Sequence, residues 1–474
     1  MSTTKFSSSV VNEIMQLGES GKSDREIAQL LNLKRLQVAA LLAHFRLKSE
    51  PRERPAPDLP EVATETEPEL ARSAAEEAVA AEGLEATAVR EDAAESEDGI
   101  YVGEDSEYGD SQYWVPWNTQ LSQNPHLMII GESGSGKTYA TQCLVAELAQ
   151  AGIPSVIFDY GQGFELGLLD RHFRKFANPQ EYLVGEKGLT LNPIQIFPRD
   201  VKGPNAVATR VSDVFDAVYR LGDIQRKVLI DAILRLFERR NIRVSDPRTW
   251  ESPPPTILDL KQELEDLAAD KHYPSYRNAQ TVAARLTTFF MLNSFQTDDQ
   301  PWAWEKLLGD SKSLIHILQF RGLEGRTQRV VVELLLWHLF FYLKSEGQHP
   351  LRLYCVLDEA HHLSFRDGGP VDGLLREARK FGLGLIFASQ QPEDFSAAAY
   401  SNSASKLVFQ TADPDLKVSK FLAAKCTNIE GPERVHEVIA SLPQREAFFI
   451  TANRGCSVKI SDFNKRSTLW RHHE

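Results

Sequence analysis

The sequence predicts an α/β fold: a mostly parallel sheet covered by helices on both faces, interrupted by a helical insertion and preceded by a small all-α unit. Three observations carry this reading. Short apolar, β-rich runs alternate with helical stretches from Tyr113 onward. A glycine-rich loop directly follows the first of those runs, and the composition changes abruptly twice before Tyr113. Continuous apolar strands separated by helices are what a parallel sheet buried on both sides requires.

The strand candidates are His126–Ile130, Pro154–Phe158, Ser313–Ile317, Leu353–Leu357, Leu383–Phe387, Lys406–Phe409 and Ala447–Ile450. Between the second and third lies a helical insertion, about residues 192–310. Its apolar positions recur at helical spacing over Asn205–Arg220, Ile224–Arg239 and Asn278–Leu292. The chain of 474 residues is long enough for two or three domains. Its longest near-apolar run, Val330–Leu343, is broken by Glu333 and His338 and is too short to span a bilayer. The polar stretch Met1–Val11 has no apolar signal-peptide core. Cys143, Cys355, Cys426 and Cys456 have no metal-ligand spacing. Reduced thiols and a cytoplasmic protein without a membrane partner are the expectation.

The net charge of −13 belongs to one segment. Residues 1–50 carry 7 basic and 5 acidic side chains, residues 51–110 carry 4 and 19, and the remainder carries 42 of each. The acidic segment, proline-rich at its front and poor in aromatic residues, reads as a self-repelling linker over residues 49–112. An acidic total is therefore no argument against a nucleic-acid partner elsewhere.

Residues 1–48 read as a helical unit. Val10, Val11, Ile14 and Leu17 keep helical spacing, Ser23-Asp-Arg-Glu26 forms a capping box, and Val38, Leu41, Leu42 and Phe45 give a third helix its apolar side. The pattern resembles a helix-turn-helix in which Lys34, Arg35 and Gln37 lead the recognition helix into a DNA groove. A three-helix protein-docking or oligomerisation module fits the same pattern.

Chemistry concentrates after residue 113. Gly131-Glu-Ser133-Gly134-Ser135-Gly136-Lys137-Thr138 fits G-x-x-x-x-G-K-[ST] between an apolar strand and a helix. Its glycines let consecutive N–H groups wrap phosphates, and the following helix adds its dipole. Lys137 reaches the β- and γ-phosphates of ATP, and Thr138 offers a hydroxyl oxygen to Mg²⁺. Asp358 and Glu359, at the end of the Leu353–Leu357 run, supply a second Mg²⁺ ligand and a carboxylate to orient the attacking water. Arg376, Arg379 and Lys380 precede a glycine turn and a strand that ends at Ser389-Gln390. Gln390 is placed to sense the γ-phosphate. The three cations fit either a solvated helix end or, for one of them, an arginine finger entering a neighbouring subunit's site.

Together these motifs resemble the HerA/FtsK superfamily of ring-forming P-loop ATPases. The pattern R-x-x-R-K-x-G-x-x-L-I-x-x-S-Q is met by Arg376 to Gln390. The resemblance spans about Trp114 to Asp462 and implies a RecA-like P-loop ATPase core over residues 113–474. It also implies a homo-hexameric DNA translocase and a separate nuclease in restriction, defence or repair. The finer likeness is to the ATPase module of DptH-type phosphorothioation-linked restriction proteins, on Asn124-Pro-His-Leu-Met, Phe381-Gly-Leu-Gly and Ser389-Gln390. The resemblance puts the finger on Arg379 and the motor glutamine on Gln390. Two departures stand out. A helix-turn-helix and linker occupy the place of the family's amino-terminal β-barrel, and Asp159-Tyr-Gly-Gln-Gly163 replaces the family's usual glycine-acid pair, leaving the part played by Asp159 open. A DNA-bound, nucleotide-gated regulator and a polypeptide-moving ATPase are the alternative functions.

Overall fold

The computed structural model describes residues 99–106, 114–117, 124–296, 302–309, 312–323, 325–365, 368–411, 417–424, 431–451 and 454–471. The helix-turn-helix reading, with Lys34, Arg35 and Gln37, lies outside them.

Eleven strands form one sheet: β1 (Ile100–Asp105), β2 (Trp114–Trp117), β3 (Leu127–Ile130), β4 (Ser155–Asp159), β5 (Gln180–Leu183), β6 (Ile315–Gln319), β7 (His349–Leu357), β8 (Phe381–Ser389), β9 (Ser405–Phe409), β10 (Glu446–Thr451) and β11 (Arg454–Lys459). Their spatial order is β2-β1-β11-β10-β9-β3-β8-β7-β4-β6-β5. From β9 to β5 every pairing is parallel, whereas β9-β10, β10-β11, β11-β1 and β1-β2 are antiparallel. The sheet is therefore mostly parallel, with an antiparallel wing on one side.

Alternation along each strand divides the core into two layers. In β3, Met128 and Ile130 join the layer built with the helical insertion and the long helix Gly325–Glu346, while Leu127 and Ile129 face the helix Lys137–Gln150 and the carboxy-terminal helix Phe463–Arg471. The insertion consists of helices Pro204–Tyr219, Asp223–Arg239, Ile257–Ala269 and Tyr276–Met291. The third of these is absent from the sequence reading. It starts with a reciprocal capping box in which Thr256 and Asp259 bond each other's backbone N–H.

The sheet also takes in Ile100–Asp105, a segment that the sequence reading assigns to the linker. Arg466 explains how an acidic strand is held there. Its guanidinium, fully buried, donates to the carbonyls of Tyr101 (3.0 Å), Val102 (2.6 Å) and Ser461 (3.0 Å) and to Glu147 Oε1 (2.8 Å). Trp470 Nε1 donates to the other oxygen of Glu147 at 3.1 Å. One side chain thus ties the carboxy-terminal helix to β1 and to the helix that follows the glycine-rich loop.

Two outcomes follow. Deleting residues 1–110 removes β1 and lowers the melting temperature relative to a chain that starts at residue 99, as calorimetry would record. Arg466→Met leaves Glu147 buried without its cation and destabilises the fold by about 3–5 kcal/mol in a denaturant titration.

Candidate functional site

The carboxyl ends of five adjacent strands, β3, β8, β7, β4 and β6, converge on one edge of the sheet. Open parallel sheets bind ligands at such an edge because loops and helix N-termini meet there. An open cleft of about 260 Å³ lies on this edge, lined among others by Ser133, Gly134, Gly136, Lys137, Thr138, Asp358, Glu359, Ser389 and Gln390.

The glycine-rich loop leaves β3 at Gly131 and enters the helix Lys137–Gln150 through Gly136, whose φ of 114° favours glycine. A Cβ on Gly136 would also lie 3.3 Å from the Cα of Arg445. Lys137 Nζ donates to the carbonyls of Gly131 (2.7 Å) and Glu132 (2.8 Å), so its ammonium crosses the mouth of the loop. Burial pulls the Lys137 ammonium below its ordinary pKa, while Asp358, Glu359 and Glu132 oppose the shift. Gly131 and Ser135 form the loop's floor: Ser135 is buried, and a Cβ on Gly131 would meet Phe409 Cβ at 2.5 Å.

Thr138 Oγ1 donates to Asp358 Oδ2 at 3.4 Å. Asp358 is almost completely buried, and burial, Asp159 and Glu359 raise its carboxyl to about 7, against the pull of Thr138 and Lys137. Such crowding of carboxylates beside a hydroxyl oxygen suits a hard divalent cation, which prefers oxygen ligands and relieves the repulsion. The residues therefore fit Mg²⁺ held by Thr138 and Asp358.

Asp159, left open by the sequence, is occupied within its own turn. Its carboxylate accepts from Gly161 N (3.2 Å), Phe164 N (3.0 Å) and Gln319 Nε2 (2.8 Å). That turn carries Gly163 against the site, where a Cβ would lie 2.8 Å from Thr138 Cγ2 and 2.9 Å from Asp358 Oδ2. Gln142 Nε2, from the loop helix, donates to the Gly163 carbonyl at 2.6 Å and fixes the same turn.

Glu359 has a left-handed backbone (φ 58°, ψ 53°). A non-glycine residue held this way costs roughly 1 kcal/mol or more and is characteristic of functional sites. The twist ends β7 abruptly and brings the carboxylate beside the next turn, 3.5 Å from His362 Nε2. β8 lies between the loop strand β3 and the carboxylate strand β7. Its tip therefore places exposed Gln390 between the two motifs, while the Ser389 hydroxyl is bonded to Asp394 Oδ2.

Arg379 does not join this cleft. It stands in a short 3₁₀ turn at the amino end of β8, so nine strand residues, roughly 30 Å, separate it from Gln390. Sequence reasoning also missed Gln444 and Arg445. Gln444 Nε2 donates to the Gly134 carbonyl (2.9 Å) and Arg445 N to the Ser135 carbonyl (2.9 Å), and the Arg445 guanidinium lies over the Tyr139 ring, 4.4 Å from its centroid. No motif marks these two residues. Their place beside the loop comes from the antiparallel wing.

The helicase HerA central-domain family matches residues 118–339, so Asp358, Glu359 and Gln390 lie beyond the matched span. The DNA import protein CedB of Sulfolobus acidocaldarius is 25% identical over 302 residues, which cover 63% of this chain and 45% of that protein. The DNA double-strand break repair helicase HerA of the same organism is 21% identical over 341 residues, covering 69% of this chain and 62% of that one. The chain thus spans less than two thirds of either relative. Among solved structures, VirB4 of Thermoanaerobacter pseudethanolicus superposes with a TM-score of 0.60 at 18% identity, covering 77% of this chain and 97% of that one. The bacterial conjugative coupling protein TrwBΔN70 gives 0.50 at 17%, covering 71% and 85%. The last two comparisons concern the fold alone.

The Asp358 environment generates a pH test. A carboxyl raised to about 7 in the folded state, above its unfolded value, favours the fold while protonated and costs stability as pH rises through that value. In chelator, Asp358→Asn should therefore melt above the parent at pH 8, by roughly 2 °C or more. The gap should narrow as pH falls below 7 and close only near pH 4, where the unfolded carboxyl is protonated as well, as paired calorimetry scans would show.

Proposed function

We propose that this chain is a HerA/FtsK-type P-loop ATPase that hydrolyses Mg-ATP in the cleft and uses the energy to move on or remodel DNA as a ring, most simply a hexamer. The observation that supports this best is the convergence of phosphate loop, carboxylate pair and Gln390 on adjacent strand tips, each with a separate task. Lys137 exchanges its two carbonyl partners for the β- and γ-phosphates. Thr138 and Asp358 hold Mg²⁺, which when bound neutralises phosphate charge. Glu359 orients and polarises the attacking water. Gln390, between loop and carboxylates, senses the γ-phosphate and passes its loss into β8.

DNA as the track is supported by what the two curated relatives are named for, import and break repair of DNA. Lys34, Arg35 and Gln37 are the contacts this reading assigns to the amino-terminal unit. A separate nuclease, in a cytoplasmic setting of restriction, defence or repair, completes it. No helix among the described residues is long and apolar enough to cross a membrane.

Lys137→Ala should abolish turnover and weaken ATP binding. Glu359→Gln should retain binding and lose roughly 10²-fold or more in turnover, the scale of a missing acid-base group. Duplex or single-stranded DNA should stimulate the parent in a coupled phosphate-release assay; tight site-specific binding with negligible turnover would instead favour the nucleotide-gated regulator.

Arg379 acts in this reading on a neighbour's γ-phosphate, since β8 holds it at the far edge of its own sheet. Arg379→Ala subunits should bind ATP, assemble and hydrolyse poorly. Mixed with Lys137→Ala subunits they should regain part of the activity, and mixed rings seen by mass without any recovery would remove Arg379 from the mechanism.

A further inference from the structure

The turn that follows Asp358 carries more ligand chemistry than water activation uses. Glu359, His361 and His362 each place one ligand atom within 4.8 Å of the other two. The backbone produces this grouping. His362 N bonds the Glu359 carbonyl at 3.1 Å, closing a 3₁₀ turn in which residues three apart eclipse each other. Glu359 Oε2 and His362 Nε2 consequently stand 3.5 Å apart. Ligands about 2.0–2.1 Å from a tetrahedral Zn²⁺ are separated by about 3.3 Å, so this pair already has nearly the required spacing.

The rings are also held. Tyr160, itself buried, stacks on His362 with centroids 5.2 Å apart and an interplanar angle of 19°. The His361 ring follows at 4.2 Å from that of His362. All three side chains keep enough exposure for an ion to enter from solvent, His362 at 40% and Glu359 at 42%.

We propose that Glu359, His361 and His362 form a binding site for a first-row divalent transition ion of the Zn²⁺ class, and that filling it shuts off hydrolysis by taking the Glu359 carboxylate away from the attacking water. The ligand set separates this ion from Mg²⁺. Two imidazoles and one carboxylate suit Zn²⁺, whereas Mg²⁺ keeps to oxygen and stays with Thr138 and Asp358. Three protein ligands leave the fourth position to water, and the site is thus reversible and dependent on metal concentration. The inhibitory half of this inference rests on the reading of Glu359 as the water-orienting group; the binding half does not.

The test uses the full chain and two readouts. Calorimetric titration with ZnCl₂ in nucleotide-free buffer should give one site that is lost in the His361→Asn/His362→Asn double variant, and Co²⁺ titrated in its place should give the visible absorption of a tetrahedral nitrogen-oxygen site in the parent only. In saturating Mg-ATP, free Zn²⁺ buffered above the affinity found by calorimetry should slow the parent by roughly 10²-fold or more, in line with loss of an acid-base group, and a zinc-selective chelator should restore it. His361→Asn should keep parental turnover and lose most of the zinc sensitivity. Equal Zn²⁺ affinity in parent and double variant would overturn the site. Binding that is lost in the double variant but leaves parental turnover unchanged would overturn the inhibition. A parent without any turnover would sink the functional reading, and the two titrations would still decide whether the site exists.

Discussion

Two buried carboxylates on neighbouring strands, Asp159 on β4 and just beyond β7 Asp358, set the constraint around which the site is built. Burial first, and then repulsion from Asp159 and Glu359, raises the Asp358 carboxyl to about 7. Asp159 is treated differently: two backbone N–H groups and the Gln319 amide draw its charge into a turn. That turn is what packs Gly163 onto Thr138 and Asp358. One carboxylate therefore serves as scaffold and the other is left short of partners. The deficiency defines the place for a divalent cation, and Lys137, on the other side of Thr138, contributes the only loop cation that opposes the repulsion.

The glycine-rich loop depends in turn on the part of the sheet least related to phosphate binding. Gln444 and Arg445 precede β10, at the start of the antiparallel wing, and bond the Gly134 and Ser135 carbonyls. The Arg445 carbonyl accepts from Ile460 N, just after β11. Arg466 then ties the same wing, through β1, to Glu147 on the loop helix. The loop is thereby braced from both ends: its outer curve by the residues before β10, its helix by a buried guanidinium.

The seven apolar runs read from the sequence all fall on strands, because a strand buried on both faces must be apolar over most of its length. Of the strands that went unread, β5 and β11 lack that obligation, and the other two are hidden by their sequence context. β5 is Gln-Glu-Tyr-Leu with no buried residue, β11 is a polar hairpin partner, β2 contains a proline, and β1 shares its surroundings with an acidic stretch whose composition conceals a buried Ile-Tyr-Val triplet. The phosphate loop and carboxylate pair were legible since spacing alone specifies them. Gln444, Arg445 and the Asp159 turn were not, because their roles arise from strand order: β7 and β8 insert between β3 and β4, and β10 returns antiparallel. The left-handed backbone of Glu359 was equally invisible, as nothing in Asp-Glu-Ala-His-His distinguishes a continued strand from a sharp turn.

Strand β8 connects two ends of the proposed cycle. Its carboxyl tip presents Gln390 to the nucleotide cleft, and its amino end begins directly after Arg379. Eight of its nine residues are buried, and it is hydrogen-bonded on both sides by β3 and β7, which is the environment of a rigid element rather than a hinge. A displacement at Gln390 on loss of the γ-phosphate would therefore reach the opposite edge of the sheet with little loss in bending. If that edge abuts the next subunit's cleft, as the trans role of Arg379 demands, the state of one nucleotide sets the position of the cation that completes the next site. Within the ring proposed above, this buried strand, paired on both sides, is the element that would link Gln390 to Arg379.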